Sequence, residues 1–147
     1  MKKLEILDYF GNTIVVEPEL WLYTAYDYMN REMPVLAIQL YFCSEEGNRE
    51  IYTVLTVNMG EFISAKNCTY IDTNNNPFAD QLLKMGFCSD TGFTKQSGFC
   101  TYPLWEFDEG FLKEIDVHGL YDIYETKFNE SLPFWVTWLI LYFRRKI

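Results

Sequence analysis

Two apolar runs limit what this chain can become. Val35-Leu36-Ala37-Ile38-Gln39-Leu40-Tyr41-Phe42 and Ile51-Tyr52-Thr53-Val54-Leu55-Thr56-Val57 are rich in β-branched and aromatic residues, and the polar loop between them, Ser44 to Arg49, contains Gly47. A connection of that length joins antiparallel strands, because a parallel crossover needs a dozen or more residues. In the second run Ile51, Thr53, Leu55 and Val57 share one face while Tyr52, Val54 and Thr56 share the other. Both faces are therefore expected to be at least partly covered.

The flanking segments extend this pattern. Residues 4–10 and 13–23 lie on either side of Gly11-Asn12, a two-residue turn signal, and read as an opening hairpin whose second arm Pro18 confines to an edge or a break. Asn74-Asn75-Asn76-Pro77 precedes Phe78, Leu82, Leu83 and Met85, which predicts a short helix over 77–85 stopped by Gly86. Cys88 to Cys100, with Gly92, Gly98 and many polar residues, reads as an irregular loop before a strand at 99–107 that Pro103 interrupts. Asp108 then caps a helix over 109–116. The expected class is α+β, a twisted antiparallel sheet of about five or six strands with two or three short helices. At 147 residues and 49% hydrophobic composition the chain is long and apolar enough for one core, assigned to residues 1–130.

The ending differs in character. Leu132 to Phe143 is apolar on all sides and is followed by Arg144-Arg145-Lys146. Twelve residues fall short of the roughly 20 that a helix needs to cross a membrane. Residues 131–147 are read as a segment docked on the domain or used for homo-association, with a membrane-surface anchor as a third reading. At the other end, Glu5 and Asp8 interrupt what an export signal would require to be apolar, so a cytoplasmic location is expected.

Charge narrows the partners. Twelve Lys and Arg oppose 21 Asp and Glu, a net of -9, which argues against direct nucleic-acid binding along a basic face. Eight of the acids (Glu106, Asp108, Glu109, Glu114, Asp116, Asp122, Glu125 and Glu130) fall between residues 106 and 130 with only Lys113 and Lys127 among them. Trp105, Phe107, Phe111, Tyr121, Tyr124 and Phe128 are interleaved with these acids, which suggests a charged, aromatic face for a basic partner protein. Trp105, Glu106, Asp108, Glu109, Glu114, Asp116, Asp122 and Glu125 are the candidate partner-binding residues.

Catalytic signals are sparse. Cys43, Cys68, Cys88 and Cys100 form no C-x-x-C pair, and His118 is the only histidine, so neither a structural zinc site nor a bound cofactor is expected. The cysteines sit beside aromatic residues, as reduced thiols used for packing do. Asp72 to Asn76 clusters oxygen ligands, yet Pro77 and Leu83 stand where a calcium loop needs Gly and Glu. Gly92 to Gly98 contains Lys95 between glycines without the Gly-Lys-Ser/Thr order of a phosphate loop. Asp72, Asn74, Lys95 and Ser97 are retained as an alternative ligand site on the 88–100 loop. Glu106 and Asp108 are spaced for acid–base work in a cleft or for capping and dipole roles at a helix start.

One ordered pattern goes beyond these local readings. Ala37-Ile38-Gln39-Leu40, Leu55-Thr56-Val57-Asn58, Tyr70-Ile71-Asp72-Thr73-Asn74-Asn75 with Pro77, Thr91-Gly92, and Ser97-Gly98-Phe99-Cys100-Thr101-Tyr102-Pro103-Leu104 with Phe107 follow one another in sequence. Together they resemble the bacterial family called domain of unknown function 4313, over about residues 4–116. The resemblance implies a small intracellular accessory protein of a mobile element and brings no catalytic residues. Combined with the acidity, it suggests a non-enzymatic protein that binds a basic host protein and inhibits a nucleic-acid-directed defence enzyme of the restriction or CRISPR type. A small-ligand module or enzyme using the 88–100 loop is the alternative.

Overall fold

The computed structural model describes residues 2–132 together with Leu139, Tyr142 and Phe143. The expected role of the apolar ending thus falls largely outside the described residues. Among them the chain runs through β1 (Leu4–Leu7), β2 (Thr13–Tyr26), β3 (Glu32–Cys43), β4 (Arg49–Val54) and β5 (Cys68–Tyr70). A 3-10 turn at Pro77–Ala79 leads into α1 (Asp80–Lys84), followed by β6 (Cys88–Ser97), β7 (Cys100–Phe107), α2 (Glu109–Glu114) and α3 (Tyr121–Glu130). The fold is α+β and its strand pairs are antiparallel. Its seven described strands divide into two sheets, ordered β1-β2-β3-β4 and β5-β7-β6, rather than forming one.

The frame is the long β2–β3 hairpin, in register from Val16↔Phe42 to Tyr26↔Glu32. Its even positions, Val16 and Leu20 on β2 and Leu36, Ile38 and Leu40 on β3, point into a core shared with Trp105 and Phe107 of β7 and Phe111 and Leu112 of α2. The two sheets are tied directly. Thr69 on β5 donates its hydroxyl to Leu36 O at 2.7 Å, and the chain beyond β4 pairs with the chain beyond β5 through Val57 N to Tyr70 O (3.1 Å) and Asp72 N to Leu55 O (2.9 Å).

Several sequence expectations change here for local reasons. Pro18 does not end its strand, although β2 lies inside the sheet. β1 reaches only as far as Val16, and the amide of Leu20, two residues on and therefore pointing the same way, leaves the sheet to reach Ile115 O at 3.0 Å. The missing proline donor thus falls on an uncovered stretch of edge. The opening turn spans Asp8 to Asn12 instead of two residues, and its tip carries Tyr9 and Phe10. The 88–100 segment is mostly strand: it pairs with β7, with an irregularity between Asp90 and Thr94 where Gly92 takes φ +87°, and it turns at Gly98-Phe99. Glycine there marks a bulge, not a loop. α3 was not anticipated, though Tyr121, Tyr124 and Phe128 are buried at helical spacing.

Asn76 holds the junction between the sheets. It is fully buried. It accepts from the Thr53 hydroxyl at 2.7 Å and donates to Val54 O and Asp72 O at 3.0 and 2.9 Å. Asn76→Ala leaves the Thr53 hydroxyl and two carbonyls without these partners, so urea unfolding is expected to show a loss of about 2 kcal/mol or more. An unchanged midpoint and slope would mean that the junction contributes little.

Candidate functional site

The predicted acidic, aromatic face separates into two layers. Trp105, Phe107, Phe111, Tyr121, Tyr124 and Phe128 are all buried, so Trp105 presents no ring to a partner. It is 1% exposed and packs in the core, and its indole N–H finds no acceptor among the described residues. Of the acids, Glu106, Asp108, Glu109, Glu114, Asp122 and Glu130 are exposed, while Asp116 and Glu125 are half-buried. Glu109 and Glu125 do come together against Tyr121, whose phenol is pushed up to about 12 by burial and then by those two carboxylates.

Much of this charge is locally compensated. Glu109 pairs with Lys113 (3.6 Å), Glu114 with Lys2 (3.6 Å), Glu125 with Lys66 (2.8 Å) and Glu130 with Lys127 (3.7 Å). Asp116 turns its carboxylate onto the first turn of α3, accepting the Leu120 and Tyr121 amides at 2.8 Å each. Glu106, Asp108 and Asp122 are exposed without an ion pair among the described residues.

The alternative ligand residues are not drawn to one point. Asp72 accepts the amide and side-chain amide of Asn75 at 3.2 and 2.7 Å, closing its own turn, and Asn74 is exposed on that turn. Lys95 is ion-paired with Glu61 and lines a cavity with Phe62 and Phe93. Ser97 is exposed at the end of β6, opposite Cys100.

Sequence reading missed a buried ionic cluster on the second face of the first sheet. Glu17 and Glu19 are 6% and 2% exposed. Arg49 of β4 crosses the Tyr41 ring, 3.8 Å from its centroid, and gives Nε to Glu17 at 3.2 Å and a terminal nitrogen to Glu19 at 2.5 Å. His118, whose ring centre lies 4.2 Å from that of Trp21 at a tilt of 42°, bonds the other oxygen of Glu19. Burial alone would raise the Glu19 pKa, but the Arg49 and His118 contacts outweigh it and hold the carboxyl below its usual range. The available signal was Glu17-Pro18-Glu19, two acids at strand spacing and hence on one face.

Three thiols, one of them beside this cluster, are held in the protonated form. Cys43 donates its thiol to Glu17 at 3.3 Å, an interaction that raises the thiol pKa, and burial pushes Cys68 and Cys88 up to about 11 and 12. These thiols are protonated at neutral pH and are poor nucleophiles. No group of three or more metal-ligating side chains occurs among the described residues. No helix among them is long and apolar enough to cross a membrane.

A cavity of about 490 Å³ lies elsewhere, between the β1–β2 turn, β4 and the segment 75–81. It owes its shape to a bulge. Tyr41 pairs with Ile51 and Leu40 with Thr53, so Tyr52 is the extra residue. Consecutive residues normally point to opposite faces, yet Tyr52 lies against Phe78 (5.9 Å between centroids) and Thr53 bonds Asn76. The bulge turns both toward the cavity.

A family model described as a domain of unknown function (DUF4313) matches residues 24–128. The chain belongs to this family. The match begins within β2, later than the residue 4 expected, and extends through most of α3, so in DUF4313 terms the β1–β2 turn lies outside the shared region. No match was found among the curated proteins or the solved structures.

The ionic cluster generates a prediction of opposite signs. Because the Glu19 pKa is depressed in the fold, its stabilisation is present above the ordinary value of 4.5 and is lost as pH falls through the folded value. Arg49→Met strands two buried carboxylates and is expected to cost about 3 kcal/mol at pH 7. Burial, the largest influence on Glu19, then outweighs the remaining His118 contact and raises its pKa above 4.5, so the variant regains stability between pH 7 and 5 while the native chain does not. Thermal melts across that range check this, and parallel curves would contradict it.

Proposed function

We propose that this DUF4313 protein is a non-enzymatic binding protein whose partner is a basic protein. The observation that carries the reading is the set of aromatic rings displayed on the two sheets. Tyr9 (85%), Phe10 (83%), Tyr28 (95%) and Phe99 (106%) are exposed at hairpin turns, and Phe93 (70%) at the bulge of β6. Leaving such rings in water-facing positions gains nothing for the fold, whereas an interface uses them as anchors with large contact area and few rotatable bonds. The net charge of -9 supplies the complementary field for a basic surface and steers its approach.

The partner class we favour is a nucleic-acid-handling enzyme of the host, because its substrate channel is the commonest concentrated positive field a cell offers to an acidic protein. Occupying that channel inhibits the enzyme without chemistry. The protonated thiols and the engaged histidine support this absence of a catalytic role. An accessory protein of a mobile element would gain from such inhibition.

The tagged chain is expected to retain one basic nucleic-acid-handling protein from a lysate of its native host at low salt. It should release that protein at about 1 M salt, where screening acts within about 3 Å. The double variant Tyr28→Ala and Phe93→Ala is expected to weaken the complex about tenfold or more with an unchanged melting temperature. Retention that ignores both salt and these rings contradicts the reading.

A further inference from the structure

The cavity beside the β1–β2 turn has a committed floor and uncommitted walls. Asn76 is saturated by its three bonds, and Gln81 clamps the end of β1, accepting from Leu7 N at 2.8 Å and donating to Leu7 O at 3.0 Å. What faces the opening is aromatic and acidic: Tyr9, Tyr52, Phe78 and Asp8. Asp8 takes the Phe10 and Asn12 amides on Oδ1 at 2.9 and 2.8 Å, which leaves Oδ2 without a bond among the described residues. It is the one charged residue among those lining the cavity. The Tyr52 phenol is held above its ordinary pKa by burial first and then by the Asp8 charge, which places that carboxylate's field inside the cavity.

A carboxylate that shares a cavity lining with aromatic rings, with no cationic side chain among the described lining residues, suits a planar cation. A guanidinium stacks on tyrosine and donates to carboxylate in the same pose, and it loses less hydration than an ammonium on entering. Glu45, Glu46 and Glu50 are exposed without ion pairs among the described residues on β4 and the loop before it, so the negative field continues along the strand that supplies Tyr52. We propose that this cavity receives an arginine side chain from the basic partner protein, held between Tyr9, Tyr52 and Asp8. The inference rests on the binding reading above and gives it a specific point of contact.

The test is an amide NMR titration of the full chain with the acetylated peptide Val-Val-Arg-Val-Val-amide, beside the same peptide carrying citrulline, which keeps the shape and lacks the charge. Shifts are expected at residues 7–12, 52–53 and 75–81, with the citrulline peptide about tenfold weaker or more, as for loss of a charge-assisted contact. Asp8→Asn retains the Oδ1 acceptor of the turn, and Tyr9→Ala removes an exposed ring. Each is expected to weaken the arginine peptide about tenfold while the remaining spectrum stays in place. Equal binding of the citrulline peptide, indifference to both variants, or shifts confined to 106–125 overturns the proposal. Free arginine amide binding as tightly as the peptide overturns it too, by making the occupant a small molecule. Shifts at 106–125 alone remove the pocket and leave the basic-partner reading standing. That reading fails separately if the native chain retains no basic protein at low salt.

Discussion

The two-residue pleat of β2 and β3 is the constraint on which the molecule is built. Eleven consecutive register pairs, from Val16↔Phe42 to Tyr26↔Glu32, alternate between a face that must be dry and a face that carries Glu17 and Glu19. A slip of one residue would drive two carboxylates into the core and expose Leu20 and Ile38. The other parts dock on this hairpin at fixed points: Ile115 on the Leu20 amide, Thr69 on Leu36, and His118 on Glu19. Arg49 closes the ionic face from β4, so the pair of acids that would otherwise oppose folding helps to fix the register.

Where regular pairing fails, surface is created. The extra residue at Tyr52 breaks alternation on β4, and the five-residue turn Asp8–Asn12 lifts Tyr9 beside it. Two departures from ideal geometry on neighbouring elements thus leave an aromatic cavity over a fully hydrogen-bonded floor. The contrast with 105–128 is instructive, because that stretch has more aromatic residues and conceals them all from solvent, leaving acids of which lysines answer Glu109, Glu114 and Glu125. A binding role therefore draws on residues remote in sequence from the densest acidic run.

The sequence was legible wherever local chemistry decided the outcome. The run at 35–42, the helix after Pro77 and the helix after Asp108 depend on pattern and capping, and each is present, whereas the run at 51–57 is strand only to Val54, and that strand lies mostly exposed instead of covered on both faces. Reading failed where tertiary partners decided. Pro18 is tolerated because of how short β1 is, and the 88–97 strand forms because β7 lies beside it, neither of which a local window contains. The same limit explains Trp105, which stands beside Glu106 at the start of the acidic run in sequence but among apolar residues in space. Glu17 and Glu19 were visible as a strand-spaced pair, but their partners Arg49 and His118 lie 30 and 99 residues from Glu19. Such separations become readable only with the fold.

The central claim is that this DUF4313 chain works by contact, through aromatic and acidic surface, on a basic protein. Amide hydrogen exchange of the chain alone and in complex with the protein it retains at low salt tests that claim most directly. Slowed exchange is expected at residues 7–12 and 50–53 and beside the exposed rings at 27–30 and 92–99, with the core strands β2 and β3 unchanged. Exchange that is identical in the two states, or slowing confined to β2, β3 and the Glu17–Arg49 cluster, would contradict it.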